Sequence, residues 1–93
     1  MYVRSIYLKF QPDRLGHGVD VLHRSYEQAA QTYGRPLGAL MTDVAESNEV
    51  AFVTHWATRG EAESSMVLSF VLDQLECAGV LEEAPRSELD EFG

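Results

Sequence analysis

The sequence predicts an α+β fold of the ferredoxin-like kind, βαββα(β), with both helices on one face of an antiparallel sheet. Three observations predict it. Residues 3–10, 37–44 and 49–57 show the alternation and the β-branched and aromatic enrichment of strands. Residues 14–33 and 58–78 carry apolar side chains at gaps of three and four, the period of a helix that buries one face. The second helical stretch opens with Thr58-Arg59-Gly60-Glu61, a capping box, and stops at Gly79.

The first strand, Val3 to Phe10, places Arg4, Ile6, Leu8 and Phe10 on one face and Val3, Ser5, Tyr7 and Lys9 on the other. Neither face is polar throughout, so both are expected to be partly covered. Pro12 and Asp13 end the strand. From Arg14 to Tyr33, apolar positions at Leu15, Val19, Leu22, Tyr26, Ala29, Ala30 and Tyr33 mark one helical face. Asp13 is expected to cap its start and Gly34 its end. Gly16 and Gly18 weaken the first turns, which leaves open a loop running to about Val19.

Leu37 to Val44 and Glu49 to Ala57 read as a hairpin joined by the polar Ala45-Glu46-Ser47-Asn48. In its second strand Val50, Phe52, Thr54 and Trp56 share one face, and Ala51, Val53 and His55 the other. The helix that follows carries Ala62, Met66, Phe70, Leu75 and Ala78 as an apolar stripe, widened by Val67 and Val71. Val80 to Leu89 is expected to add a short, charged edge strand, broken by Pro85.

Ninety-three residues make a single domain, 1–93. A chain of this size buries only about 60% of its unfolded surface or slightly more, so pairing with a second copy would help. Hydrophobic residues form 45% and charged residues 24%, ordinary proportions for a globular domain. The net charge of −8, from 15 acidic and 7 basic residues, repels phosphate backbones and argues against nucleic acid as a partner. Glu82, Glu83, Glu88, Asp90 and Glu91 crowd the segment 82–93, which reads either as a solvated acidic tail or as a docking tail for a basic partner. No apolar run approaches the roughly 20 residues that span a bilayer, so no membrane is expected. Met1-Tyr2-Val3-Arg4 leads straight into strand-like residues, and a cytoplasmic location is the expectation. Cys77 is the only cysteine, which excludes an internal disulfide; it is expected to be a small buried apolar group.

Phe52 and Trp56 decide the assembly expected from sequence. Burying such a side chain is worth roughly 1.5–3 kcal/mol. With the helices on one face, the far face is expected to hold both rings against a second copy of the chain, giving a two-fold homodimer. Trp56 then reads either as a wall that stacks on a planar ligand or as a dimer-core aromatic. His55 alternates away from Trp56 and reads as structural. His23 borders the helical stripe, and His17 lies in Gly16-His17-Gly18. Histidines at 17, 23 and 55 do not make a metal spacing and no carboxylate pair completes a triad, so neither metal nor cofactor is expected. Tyr7, Tyr26 and Tyr33 are hydrogen-bond donors for a cavity, with Tyr7 the best placed. A phenol of pKa near 10 is a poor base unless tuned.

Three segments resemble the dimeric α/β-barrel superfamily, in particular antibiotic-biosynthesis-monooxygenase-like and NIPSNAP-like proteins. Phe10-Gln11-Pro12-Asp13-Arg14-Leu15 is similar to the turn before their first helix. Glu49-Val50-Ala51-Phe52-Val53-Thr54-His55-Trp56 is similar to their third strand, and Glu61-Ala62 with Met66 and Phe70 to the start of their second helix. The resemblance implies a homodimer with a cavity between sheet and helices for a small, often aromatic molecule. Haem-degrading members place a histidine ten positions after the tryptophan and an asparagine on the first strand. Here Met66 stands at the former and the first strand has no asparagine, so haem degradation is not expected. The NIPSNAP-like arginine of the first strand is met by Arg4, two positions away, with Ile6 in its place.

The expected function is therefore a dimer that binds a small organic molecule, working either by binding alone or as a cofactor-independent monooxygenase-like enzyme. Trp56 would stack on the ligand, Tyr7 and His23 are the candidate catalytic residues, Arg4 would pair an anion, and Phe52 and Met66 complete the lining. The alternative is a non-enzymatic dimeric scaffold or regulatory interaction module that acts through its acidic segment.

Overall fold

The computed structural model describes residues 1–44 and 48–92. Four strands, β1 (Tyr2–Lys9), β2 (Gly38–Val44), β3 (Glu49–Trp56) and β4 (Arg86–Glu91), form an antiparallel sheet in the order β2-β3-β1-β4. Helices α1 (Leu15–Tyr33), α2 (Arg59–Glu63) and α3 (Met66–Ala78) complete the βαββα(β) plan. This is the split βαβ arrangement, in which β1 lies at the centre because β3 and β4 pair with its two edges. The predicted four-residue connection 45–48 lies, apart from Asn48, outside the described residues.

The sheet's two faces are not assigned as the sequence reading expects. Ile6 pairs with Phe52, Leu8 with Val50 and Tyr2 with Trp56, so these side chains share one face. That face packs against Leu22 and Ala29 of α1 and Val67, Leu68, Val71 and Leu75 of α3 in one core. Phe52 and Trp56 are 5% and 6% exposed within a single chain. They need no second copy to leave water, and the expectation that they press against one is corrected. The physical reason is simple: Ile6, Leu8 and Phe10 join Val50 and Phe52 to make the most apolar surface of the sheet, and the helices bury it. The open face carries Val3, Ser5 and Tyr7 of β1, Ala51, Val53 and His55 of β3, Leu40 and Thr42 of β2, and the charged Arg86, Glu88 and Asp90 of β4.

α1 begins directly after a 3-10 turn at Pro12–Arg14, so Gly16 and Gly18 are helical and not part of a loop. Arg14 holds the cap position with no side-chain bond, and Asp13 does not cap. Gly18 is where helix meets strand: a Cβ there would lie 2.2 Å from Cδ1 of Phe10, which is fully buried. Glycine lets the aromatic ring pack against the helix backbone.

The single second helix of the sequence reading is two helices. Thr58 Oγ1 accepts from the Glu61 amide at 3.2 Å and starts α2, as the capping box predicts. The helix stops at Glu63, and Ser65 Oγ accepts from the Leu68 amide at 3.2 Å to start α3. A second cap resets the helical phase, so the buried stripe of α3 is Val67, Leu68, Val71 and Leu75. Met66 is 58% exposed, which corrects its expected place in the stripe, while Phe70 is half-buried and packs against the edge of the core. Cys77 is exposed, not buried, because it falls on the far side of that same stripe. Gly79, at φ 65°, ends α3 in the left-handed conformation glycine favours.

The chain then returns to the sheet. Leu81 bridges Phe10, and β4 starts immediately after Pro85, later than the predicted Val80. Half of the acidic segment, residues 86–91, is thus an edge strand bonded to β1, with its carboxylates in solvent; it is not a free tail. Among the described residues, no helix is long and apolar enough to cross a membrane.

Candidate functional site

Among the described residues, two clefts have aromatic side chains of the sheet's helix-covered face in their walls. The first, of about 310 Å³, lies between the end of α1, the end of β3 and the break between α2 and α3. Trp56 forms its wall. The indole Nε1–H donates to Thr54 Oγ1 at 2.8 Å, and the Thr54 hydroxyl donates to the Arg4 carbonyl at 3.2 Å. The ring is therefore fixed by a buried hydrogen-bonded chain two residues apart on one strand face. Met66 reaches the cleft because Ser65 restarts the helix one residue before it. Tyr33, the last residue of α1, lines the opposite side and is exposed. Arg35 and Ser64 add polar groups. Arg35 Nη2 donates to Glu27 Oε2 at 2.9 Å, which holds the Glu27 carboxyl below its ordinary range and raises the guanidinium.

The second cleft, of about 210 Å³, lies between α1 and the β2–β3 strands and is lined by His23, Tyr26, Met41 and Phe52. Tyr26 meets Phe52 edge to face, with ring centroids 5.4 Å apart at 79°, the geometry that aromatic quadrupoles favour. His23 stands exposed at the mouth.

The residues singled out in sequence are thus divided. Trp56 and Met66 meet in one cleft, and Phe52 and His23 in the other. Arg4 lines neither. Its Nη1 donates to the carbonyls of Ala62 and Glu63 at 2.9 and 3.2 Å, and its Nε to Ser87 Oγ at 3.0 Å. It ties the last turn of α2 to the sheet, and its burial there lowers the guanidinium pKa. Tyr7 lies on the open face, where its hydroxyl donates to Glu88 Oε2 at 3.4 Å and Arg86 sits 5.1 Å over its ring. Tyr7 and His23 are on opposite sides of the sheet, so within one subunit they do not serve one substrate. Among the described residues, no three His, Cys, Asp or Glu side chains gather as a metal site.

Tyr26 and Tyr33, read from sequence as donors for a cavity, do line the clefts, whereas Arg35, Ser64 and Met41 were not read as lining residues. The available signal was Ser64-Ser65 inside an otherwise continuous helical pattern: serines favour caps over helix interiors, and a cap there opens a gap beside the strand end.

The fold and its clefts define a ferredoxin-like α+β domain, and comparison with solved structures gives it company. It superposes on an antibiotic biosynthesis monooxygenase with a TM-score of 0.77 at 8% identity, over 100% of this chain and 99% of that one. A Deinococcus radiodurans protein provisionally assigned to the same class matches at 0.74 and 18% identity, over 100% and 93%. An uncharacterised NIPSNAP domain protein from Burkholderia xenovorans matches at 0.64 and 13%, over 100% and 95%. At these identities the likeness is one of fold. No protein-family profile matches the chain, and no curated protein sequence matches it.

Proposed function

We propose that the chain forms a homodimer through the open face of its sheet and that each subunit binds a small aromatic molecule in the cleft beside Trp56. The observation that carries the binding reading is one fixed indole flanked by two large exposed side chains, Tyr33 and Met66. Aromatic faces and a flexible thioether suit planar ligands. Ser64 and Arg35 at the rim supply hydrogen bonds that orient a polar substituent. The cleft's about 310 Å³ falls at the small end of ligand pockets, which run from about 300 to 1,000 Å³. The superposed monooxygenases lend support by analogy of fold, which by itself assigns no reaction.

The dimer half of the proposal rests on the open face. Leu40 is 59% exposed there, beside Val53, Ala51, Tyr7 and Val3. Covering a side chain such as Leu40 or Val53 contributes about 1.5–3 kcal/mol. A scaffold acting through a free acidic tail is not favoured, because residues 86–91 are strand β4.

The test uses β-naphthol as probe and cyclohexanol as its non-planar control, followed by NMR at the Met66 methyl and the Trp56 indole N–H. β-Naphthol is expected to give saturable shifts at both groups. Met66→Ala combined with Tyr33→Ala is expected to weaken it about tenfold, near 1.4 kcal/mol. Weak shifts spread over the whole surface, or equal response to cyclohexanol, would sink the binding reading. Sedimentation addresses assembly: the wild-type chain is expected as a dimer and Leu40→Asp with Val53→Asp as a folded monomer. A wild-type monomer at micromolar concentration would refute the dimer.

A further inference from the structure

A groove of about 590 Å³, larger than either cleft, lies at the other end of the molecule from Trp56. It runs between the last turns of α3 and residues 79–85. The half-buried Leu72 and Leu81 give it an apolar lining over the fully buried Leu75, and Glu76, Glu82 and Glu83 line it as well. Its outer wall is held by backbone pairing: the Gln11 amide donates to Val80 O at 2.9 Å, the Glu82 amide to Lys9 O at 2.8 Å, and Leu81 bridges Phe10. The groove is therefore a built feature of the fold.

Its charge is not neutralised from within. Lys9 stands 4.0 Å from Glu82, a long contact between two well-exposed groups. Among the described residues, Glu76 and Glu83 form no ion pair. The carboxylates reject anions, and in a chain of net charge −8 nothing distant reverses that. The leucines in turn give nothing to a hydrated inorganic cation, which needs oxygen ligands all round. One class satisfies both halves, a cation carried on an apolar body.

We propose that this groove is a second binding site, for a small organic ammonium compound, with the apolar body on Leu72 and Leu81 and the ammonium beside Glu76 and Glu83. It is independent of the reading given for the Trp56 cleft. The probe pair is 4-phenylbutylammonium and 4-phenylbutyrate, which share a body and differ in charge. Isothermal titration and protein NMR on the full chain provide the readouts. The ammonium compound is expected to bind saturably with shifts centred on the Leu72 and Leu81 methyl groups. The carboxylate is expected to bind at least fivefold more weakly. Glu76→Gln with Glu83→Gln, both at exposed positions, is expected to weaken the ammonium compound about fivefold or more, the effect of one unit charge about 4 Å away in water. Thermal unfolding of that variant checks that its fold is intact. Equal binding of the two probes, shifts centred on Met66 or Met41, an unchanged affinity in the double variant, or self-association of the chain through this groove would each overturn the proposal.

Discussion

Replacing Gly18 with alanine tests the contact that joins α1 to β1. The new methyl group would lie 2.2 and 2.4 Å from Cδ1 and Cε1 of Phe10, where carbon atoms prefer about 3.5–4.0 Å. Phe10 is fully buried, so its ring has no solvent to swing into. Ring or helix must move by more than about 1 Å, and overpacking of this kind costs about 1–3 kcal/mol. Alanine returns up to about 1 kcal/mol in helix propensity. The expected net loss is about 1 kcal/mol, and at about 4–8 °C per kcal/mol the midpoint falls by roughly 4–8 °C. Gly16→Ala is the control, because a Cβ there meets nothing within 4 Å. It should be neutral or up to about 1 kcal/mol more stable. Urea unfolding followed by Trp56 fluorescence measures both, and Phe10→Leu added to Gly18→Ala should restore part of the loss. A Gly18→Ala protein as stable as the wild type would refute the packing described here.

Arg4→Leu removes the donors to the Ala62 and Glu63 carbonyls; a loss of about 1–2 kcal/mol is expected for charge-assisted bonds at a half-buried site. Hydrogen exchange should quicken in α2 and stay unchanged at the centre of α3. Ser65→Ala should cost about 1 kcal/mol by removing a cap, with Ser64→Ala near zero, both read by urea unfolding. The Glu27–Arg35 pair lowers the folded carboxyl pKa, so its small contribution is present above the ordinary value of about 4.3 and lost as pH falls through the lower folded value. The stability gap between wild type and Glu27→Gln should accordingly close on acidification, and also in high salt. Finally, because Trp56 is buried inside one chain, its emission should stay that of a buried indole in the Leu40→Asp, Val53→Asp monomer; a shift to longer wavelength would place the ring in the interface instead.

Much of the fold was legible because its signals are local. The alternation of 49–56, the three-and-four spacing of 15–33, the Thr58 cap and the Gly79 stop each act within a few residues of their own position. The candidate site was legible only in pieces. Trp56 and Met66 could be named from the strand end and the helix start, yet the sequence reading put Met66 in the core stripe. That misplacement came from treating 58–78 as one helix: a break at Ser64-Ser65 changes the phase of everything after it, and Met66 turns outward. Arg4 looked like an anion partner on type alone. Its real contacts, two carbonyls at the end of α2, belong to residues 58 and 59 positions away along the chain, beyond the reach of any local pattern.

By itself the sequence determined which side chains travel together: Phe52 with Trp56, Ile6 with Leu8 and Phe10, Val53 with Ala51. A period of two does that work without long-range contacts. Only the tertiary structure decided which of the two sets faces the helices, because alternation labels the faces of a strand alike. That choice is made by register. Once Ile6 stands opposite Phe52, their combined apolar surface outweighs the other, and the helices close over it, leaving Leu40, Val53 and Tyr7 on the outside.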